Sequence, residues 1–429
     1  MSDPAFIPSV APSPASSEFD VAIVGASLAG CAAAMLFGRA GLRVALIERS
    51  READDFKRLC THFIQPSAVP TLRRLGIEDV LLDAGAVRNR IDMILPWGRT
   101  GEPPPVDYRG RSLVALNLRR SKLDPILRKA AAATPGVTMM QGVGVHDLLR
   151  SGERIIGVET RGRRSGPLRA RLVVAADGRE SAMAKLAEAP LRRSPNGRFG
   201  CFAQYRALEL DRPATSLMWL DHALAAYLFP NDDEISVAAC MPPKARLDEF
   251  RDDPEAALET LYATLPGAPR LDPARREGRA LLVKDYPNQW REPVHQGMAL
   301  IGDAAMSIDP LWGVGCGWAF QSAEWLVDAT AGAVRDGGDL PSALAAYRKR
   351  HHRELDGHRF IINDFSRRER FNLIERLMFS AATRDERTGE HVAAFGARLI
   401  GPGEFLAPAA VMRAVGALFK PPRLPTAPA

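Results

Sequence analysis

The feature that most constrains this chain is the segment at residues 20–48, DVAIVGASLAGCAAAMLFGRAGLRVALIE. The run VAIVG is uninterrupted apolar sequence of strand length ending on glycine, the pattern of a strand buried on both faces. A helix of small residues follows through residue 40, and residues 42–47 read as a second apolar strand. Two such strands joined by one helix lie parallel through a right-handed crossover, which commits the chain to an α/β sheet. Between strand and helix sits GASLAG. Gly25 permits the tight turn, and Gly30 lets helix and strand pack closely. The middle glycine of the usual GxGxxG is Ser27 here, small enough to admit a phosphate and able to donate a hydrogen bond to it. The free N–H groups of the helix start then receive a pyrophosphate. Glu48 ends the second strand, where a carboxylate takes a ribose hydroxyl pair, and Arg49 beside it joins the same binding set. The bland alternative is a glycine-rich turn in some other α/β protein. The unit predicts a dinucleotide and leaves NAD and FAD open.

At 429 residues the chain has length for two intimately joined domains. Residues 1–18 and 421–429, rich in Pro, Ser and Ala, read as a disordered arm and a flexible tail. Further elements are expected as a helix over 124–133, a strand near 137–140, a hairpin over 144–160 turning at Ser151-Gly152, and a buried strand LVVAA ending at Asp177. Residues 198–241 change character. CFAQYRALEL, TSLMWL, AAYLFP and ISVAAC read as successive antiparallel strands, before MALIGD restores the buried-strand pattern. The fold class expected is therefore α/β. A Rossmann-like cofactor domain over 20–190 and 280–335 carries an inserted antiparallel-sheet substrate domain over 191–279, with a helical region over 336–420.

The formal charge is +6, carried largely by arginine, and no aromatic residues interleave with the basic ones in a single-strand-binding pattern. An anionic small molecule is the expected partner, and nucleic acid is not. Five cysteines without a CxxC pair exclude a disulfide framework and a zinc site, and fit a reducing compartment. Without a signal peptide or a membrane-length apolar run, the expectation is a soluble cytoplasmic protein without stable membrane insertion. The basic stretches 347–360 and 366–370 read as solvated helix faces, and their histidines form no persuasive metal set, so no metal is expected. Residues 405–419 are apolar enough to touch a membrane surface, but Pro408 and Arg413 favour docking on the protein's own core.

A second motif narrows the cofactor. LIGDAAMSIDPLWGVGCGWAF, residues 300–320, puts an acid after a strand, then proline and paired glycines before a helix. Asp303 can accept from a ribityl hydroxyl. Pro310, Gly313 and Gly315 keep side chains away, so an isoalloxazine can lie against backbone. The following helix start sets positive dipole near N1 and O2 of reduced flavin. The alternative is an ordinary capped loop.

With VVAADGRESAMAKLA at 173–187, these segments resemble the FAD-dependent monooxygenases of the aromatic-hydroxylase type, often called group A. The resemblance implies that Gly25, Ser27, Gly30 and Glu48 bind the ADP part of FAD. It makes Asp177 and Gly178 the family's DG pair, Asp303 its GD aspartate and Arg120 a cofactor-contacting arginine. Two departures stand near the reacting end, Met306 for a usual His and Gly317 for a usual Asn.

The implied chemistry begins with reduction of FAD by NADH or NADPH. Dioxygen then adds at C4a, and the hydroperoxide passes OH to an electron-rich aromatic or polycyclic small molecule, hydroxylating or epoxidising it in a water-poor pocket. Candidate walls are Trp219, Tyr227, Phe229, Trp312 and Trp318. Acid–base candidates are His62, Tyr205, His222 and Tyr227, while Arg58 and His62 are candidates to contact an anionic group. The catalytic set expected is Pro310, Trp312, His62 and Tyr227. No separate NAD(P)H domain is legible, so reductant binds transiently or a partner flavin reductase supplies it. Competing readings are a flavin-dependent halogenase, though its WxWxIP segment is missing and its catalytic lysine has no obvious counterpart, a geranylgeranyl-reductase-like double-bond reductase, and a flavin-binding protein without turnover.

Overall fold

The computed structural model describes residues 19–101 and 108–423. The expected arm at 1–18 and the last six residues of the expected tail lie outside them.

The first sheet is built outward from strand Phe19–Val24. It pairs in parallel with Val44–Glu48 on one side, Val21 opposite Val44, and with Gly166–Ala175 on the other. Val137–Gln141 extends one edge in parallel, and Met298–Leu300 extends the other. Val21, Ala22 and Ile23 are fully buried because helices or loops cover both faces, which explains the unbroken apolar run. Each large apolar side chain so buried contributes roughly 1.5–3 kcal/mol. Helix Leu28–Arg39 is buried from Leu28 through Gly38, wedged between the sheet, helix Arg120–Ala132 and helix Val314–Asp336. Gly30 and Gly38 let it lie so close, since a Cβ on either would fall within 3 Å of neighbouring backbone.

The second sheet runs in the order Arg276–Val283, Gly200–Arg206, Ile235–Met241, Leu224–Pro230, Thr215–Asp221, Val87–Leu95, Ala115–Asn117, Phe63–Ile64. This differs from the expected insertion in two ways. Strands from residues 63–117 belong to it, with Val87–Leu95 pairing in parallel to Thr215–Asp221. The expected boundary at 279/280 also falls inside a strand, since Gly200 pairs with Val283. Sequence alternation hid Val87–Leu95 because Arg88, Arg90 and Asp92 break its apolar run, and its parallel partner lies over a hundred residues away. A small third sheet, Arg192–Ser194, Asn288–Trp290 and Met306–Ser307, joins the two large ones.

The C-terminal region is helical: Leu340–Phe365, Leu373–Ala382, Glu386–Gly396, Pro402–Phe405 and Pro408–Ala417. The basic stretch at 347–360 is amphipathic. Tyr347, His351, Leu355 and His358 face inward, and the Tyr347 hydroxyl donates to Leu300 O at 2.8 Å. Helix Pro408–Ala417 docks on the protein through Ala410, Ala414 and Ala417. Arg423, placed in the tail by sequence, is held at both ends of its backbone, donating to Thr383 O and accepting from Arg99 N, both at 2.8 Å. Among the described residues, no helix is long and apolar enough to cross a membrane.

Candidate cofactor and active site

The two glycines of the GASLAG turn have no room for side chains. Gly25 has φ +105°, and a Cβ there would lie 2.4 Å from Ala176 O; one on Gly30 would lie 1.8 Å from Gly25 O. Glu48 folds back onto this turn, its Oε2 accepting from Ala26 N and its Oε1 from Ser50 N, both at 2.9 Å. Each oxygen keeps acceptor capacity toward the cavity. Ser27 is the N-cap of the first helix yet makes no capping bond; its Oγ accepts from Arg120 Nη2 at 2.6 Å. The helix start therefore keeps free N–H groups for an anion.

Arg120 is buried and held by Asp124 through Nε at 2.9 Å and Nη2 at 3.0 Å. Burial alone disfavours its charge, but Asp124 more than offsets that and raises its pKa, so the guanidinium is a fixed cation. Asp177 caps the short helix Ala182–Leu186, accepting from Ser181 Oγ at 2.6 Å and Met183 N at 3.0 Å, while burial pushes its carboxyl upward. Asp303 receives Lys57 Nζ at 2.6 Å. Desolvation works against that ammonium, and Asp303 outweighs it and raises its pKa.

Helix Val314–Asp336 also starts without a side-chain cap. Gly313 has φ +61° and its absent Cβ would meet Phe63 Cδ1 at 2.6 Å, whereas a Cβ on Gly315 would meet nothing. A Cβ on Gly317 would lie 3.0 Å from Gln65 Oε1, which explains glycine there: buried Gln65 fills the space and ties Trp312 O at 3.0 Å to Gly396 O at 2.9 Å.

One cavity of about 770 Å³ connects all of these parts, within the roughly 300–1,000 Å³ range of ligand sites. Gly25, Ser27, Glu48, Arg49, Arg120, Asp177, Gly178, Asp303, Pro310, Gly313 and Gly315 line it; Gly30 lies behind the turn it packs. Its far end is walled by Phe63, Phe199, Phe202, Met241, Val283 and Ile308.

Three of the four expected catalytic residues lie off this cavity. His62 is buried with φ +63°, and its Nδ1 accepts from Arg120 N at 3.0 Å; it positions the arginine. Tyr227 stacks on Phe229 at 5.4 Å, and burial pushes its phenol upward. Trp312 turns away because its own φ is +65°, which swings the indole onto Phe379 and Gly396 of the helical layer. Of the other candidates, Tyr205 donates to Glu259 at 3.1 Å, His222 is packed by Phe371, and Arg58 is exposed beside Phe56. Trp219 packs on Tyr262, and Phe229 backs Phe63; Trp318 does line the cavity.

Sequence reasoning missed Lys57, one residue from Arg58, and the buried pair Arg198–Asp309. Arg198 reaches Asp309 through Nε at 3.2 Å and through Nη2, and Asn196 adds a bond to Asp309 at 2.8 Å. The signal in NGRFG was that of a turn, and nothing local announced a partner over a hundred residues away. It also missed Cys60 and Cys316, both on the cavity wall with their sulfurs 3.6 Å apart.

FAD fits this site on the structure's own terms. Two cavity-lining donors, Trp318 Nε1 and Arg198 Nη1, are buried without partners, two helix starts are uncapped toward the cavity, and a Cβ on Gly315 would enter space that no protein atom fills. Fold and site together define a dinucleotide-binding flavoprotein with a second sheet facing the flavin loop. The family model of the FAD binding domain matches residues 18–355, and the chain belongs to that family. It is a flavin-dependent oxidoreductase of the aromatic-hydroxylase-like monooxygenase superfamily, in which related halogenases share the fold. Squalene epoxidase erg1 of Schizosaccharomyces pombe is 26% identical over 388 residues, 82% of this chain and 78% of the relative. The 6-methylpretetramide 4-monooxygenase of Streptomyces rimosus is 29% identical over 316 residues, 71% of this chain and 73% of the relative. The flavin-dependent brominase Bmp2 superposes with a TM-score of 0.76 at 19% identity, over 93% of this chain and 98% of the brominase, which is a likeness of fold.

Proposed function

We propose that the protein is an NAD(P)H-dependent monooxygenase that transfers one oxygen atom from dioxygen to an electron-rich, predominantly apolar aromatic or polycyclic small molecule, by hydroxylation or epoxidation. The observation that carries this reading is the continuity of the cavity, whose cofactor motifs open directly onto the apolar wall of Phe199, Phe202, Met241 and Ile308. FAD, when bound, supplies the redox chemistry and the activation of dioxygen. The chain supplies the rest. The helix start at Val314 favours negative charge near the flavin, as does the cationic Lys57 held on Asp303. The apolar wall excludes water that would divert the reaction toward peroxide. His62, Tyr205, His222 and Tyr227 all lie off the cavity, so none of these four acts as a base toward the substrate in this reading.

The reductant is NADH or NADPH bound transiently at the cavity mouth, or a separate flavin reductase. The test is a turnover under ¹⁸O₂ with NADPH and a panel of polycyclic aromatics and polyenes. One labelled oxygen per product is the expected result. Stoichiometric double-bond reduction without oxygen would replace this reading with a reductase, and a flavin inert to NADPH, to a reductase and to oxygen would replace it with a binding protein. Halogenation is the second reading, favoured by the Bmp2-like fold together with a lysine, Lys57, inside the cavity; a product containing bromine, formed only with bromide present, would establish it.

A further inference from the structure

Two pairs of cysteines face each other in this chain, and their surroundings are opposite. Cys201 and Cys240 are cross-strand neighbours in the second sheet, fully buried among Phe199, Phe250 and Tyr262, and neither lines the cavity. Cys60 and Cys316 are 256 residues apart in sequence, and their sulfurs are 3.6 Å apart in the cavity wall. Cys60 also accepts from His62 N at 3.2 Å, and Arg120 Nη1 stands 3.9 Å from its sulfur. The surrounding cations, Arg120 and Lys57, are both fixed by carboxylates on their far sides, Asp124 and Asp303. Cys60 is partly open, whereas Cys316 is buried.

We propose that Cys60 and Cys316 form a peroxide-reactive dithiol in the cofactor cavity, with Cys60 as the attacking thiol and Cys316 as the resolving one. Two observations assign the roles. The two thiols share one contact in which either sulfur can donate. The His62 N–H and the Arg120 guanidinium both stand at Cys60, so negative charge gathers there. The Cys60 thiol is accordingly held well below its ordinary range, first by the bond from Cys316 and against the effect of burial, while that bond and burial both push Cys316 up.

The Cys60 thiolate attacks the O–O bond of hydrogen peroxide, giving a sulfenic acid and hydroxide. The Cys316 thiol then attacks the Cys60 sulfur, forming the disulfide and releasing water. In sum, two thiols and one peroxide give one disulfide and two waters. The sulfurs must close from 3.6 Å to about 2.05 Å for the bond to form. The bond would tie the irregular segment carrying Lys57 to the start of helix Val314–Asp336. The source of peroxide rests on the proposed oxygen chemistry, in which an uncoupled turnover releases it inside this cavity. The dithiol itself does not rest on it.

The test therefore adds peroxide from outside. The full-length, FAD-loaded protein is treated with hydrogen peroxide, quenched with catalase, alkylated under denaturing conditions and mapped by mass spectrometry without reduction. A Cys60–Cys316 cross-linked peptide is expected, forming roughly tenfold or more faster than any oxidation at Cys201 or Cys240. Cys316→Ser should stop at a dimedone-trappable sulfenic acid on Cys60, and Cys60→Ser should leave Cys316 reduced. The wild-type result decides even where a variant fails to fold. A wild-type pair that stays reduced at peroxide concentrations that oxidise Cys201 or Cys240, or a Cys60 that proceeds to sulfinic acid with Cys316 still free, overturns the proposal. Either outcome leaves the monooxygenase reading untouched, and a failed ¹⁸O₂ experiment leaves this one untouched.

Discussion

Gly30 and Gly315 look alike in sequence, as glycines beside helix starts on the cofactor cavity, yet the structure predicts different consequences for adding one methyl group. At Gly30 the new Cβ would lie 1.8 Å from Gly25 O, while ordinary contact needs more than 3.0 Å. The carbonyl cannot rotate away freely, because Gly25 itself donates to Ile47 O at 2.8 Å and its own Cβ position is blocked by Ala176. Helix Leu28–Arg39 must therefore shift off the sheet by about an ångström, at a cost of roughly 1–3 kcal/mol. The same shift removes the free N–H groups from register with the pyrophosphate. At about 1.4 kcal/mol per decade, losing 3 kcal/mol of binding weakens FAD roughly a hundredfold. At Gly315 a Cβ meets no protein atom within 4 Å, so Gly315→Ala should leave the apoprotein's melting temperature unchanged within a degree or so. The methyl would instead project into the cavity, where it lowers FAD affinity alone. Thermal denaturation of both apoproteins, with FAD titration by fluorescence quenching, reads the two effects separately. If Gly30→Ala binds FAD within threefold of wild type and melts normally, the steric argument is wrong. If Gly315→Ala melts low, its open space is wrong.

Three further outcomes follow from burial and charge. Arg198→Met strands the carboxylate of Asp309, which is fully buried, and should cost about 3–5 kcal/mol; Arg198→Met with Asp309→Asn should recover much of it, measured by urea denaturation. His351 and His358 are pushed down to about 3 by burial, with Arg398 adding repulsion to both; His352 and Arg359 add more at His351, and Asp356 partly opposes it. Their folded values lie below the unfolded one, so the unfolded chain binds more protons between about pH 3 and 6.5, and stability falls as pH drops through that window, by roughly 2 kcal/mol per histidine at pH 5. Replacing His351 with Phe should flatten the melting temperature between pH 5 and 7; an unchanged slope would refute the assignment. Lys57→Met removes the partner of Asp303 and one cation from the flavin end of the cavity, and FAD affinity should drop about tenfold, with the loss recovered in part by Lys57→Arg, as followed by fluorescence titration.

The parts legible in the sequence are those whose physics is local. VAIVG reads as a doubly buried strand because four consecutive apolar residues before the glycine have no other comfortable place. Gly25, Gly30 and Glu48 read as a dinucleotide cradle because turn, packing and acceptor all fall within one βαβ unit. The Asp303 loop is a second local unit, and together they determined the flavin. Tertiary structure decided what depends on partners far along the chain. Whether His62 meets a substrate or a backbone N–H turned on Arg120, 58 residues away. Trp312 faces the helical layer because its own left-handed backbone swings it there, a conformation the residue type disfavours and the sequence does not announce. Arg198 finds Asp309, and Cys60 finds Cys316, only when two sheets close on one loop. Local patterns record the geometry a segment imposes on itself. Ion pairs, thiol pairs and cavity walls arise where segments meet, and those were settled by packing.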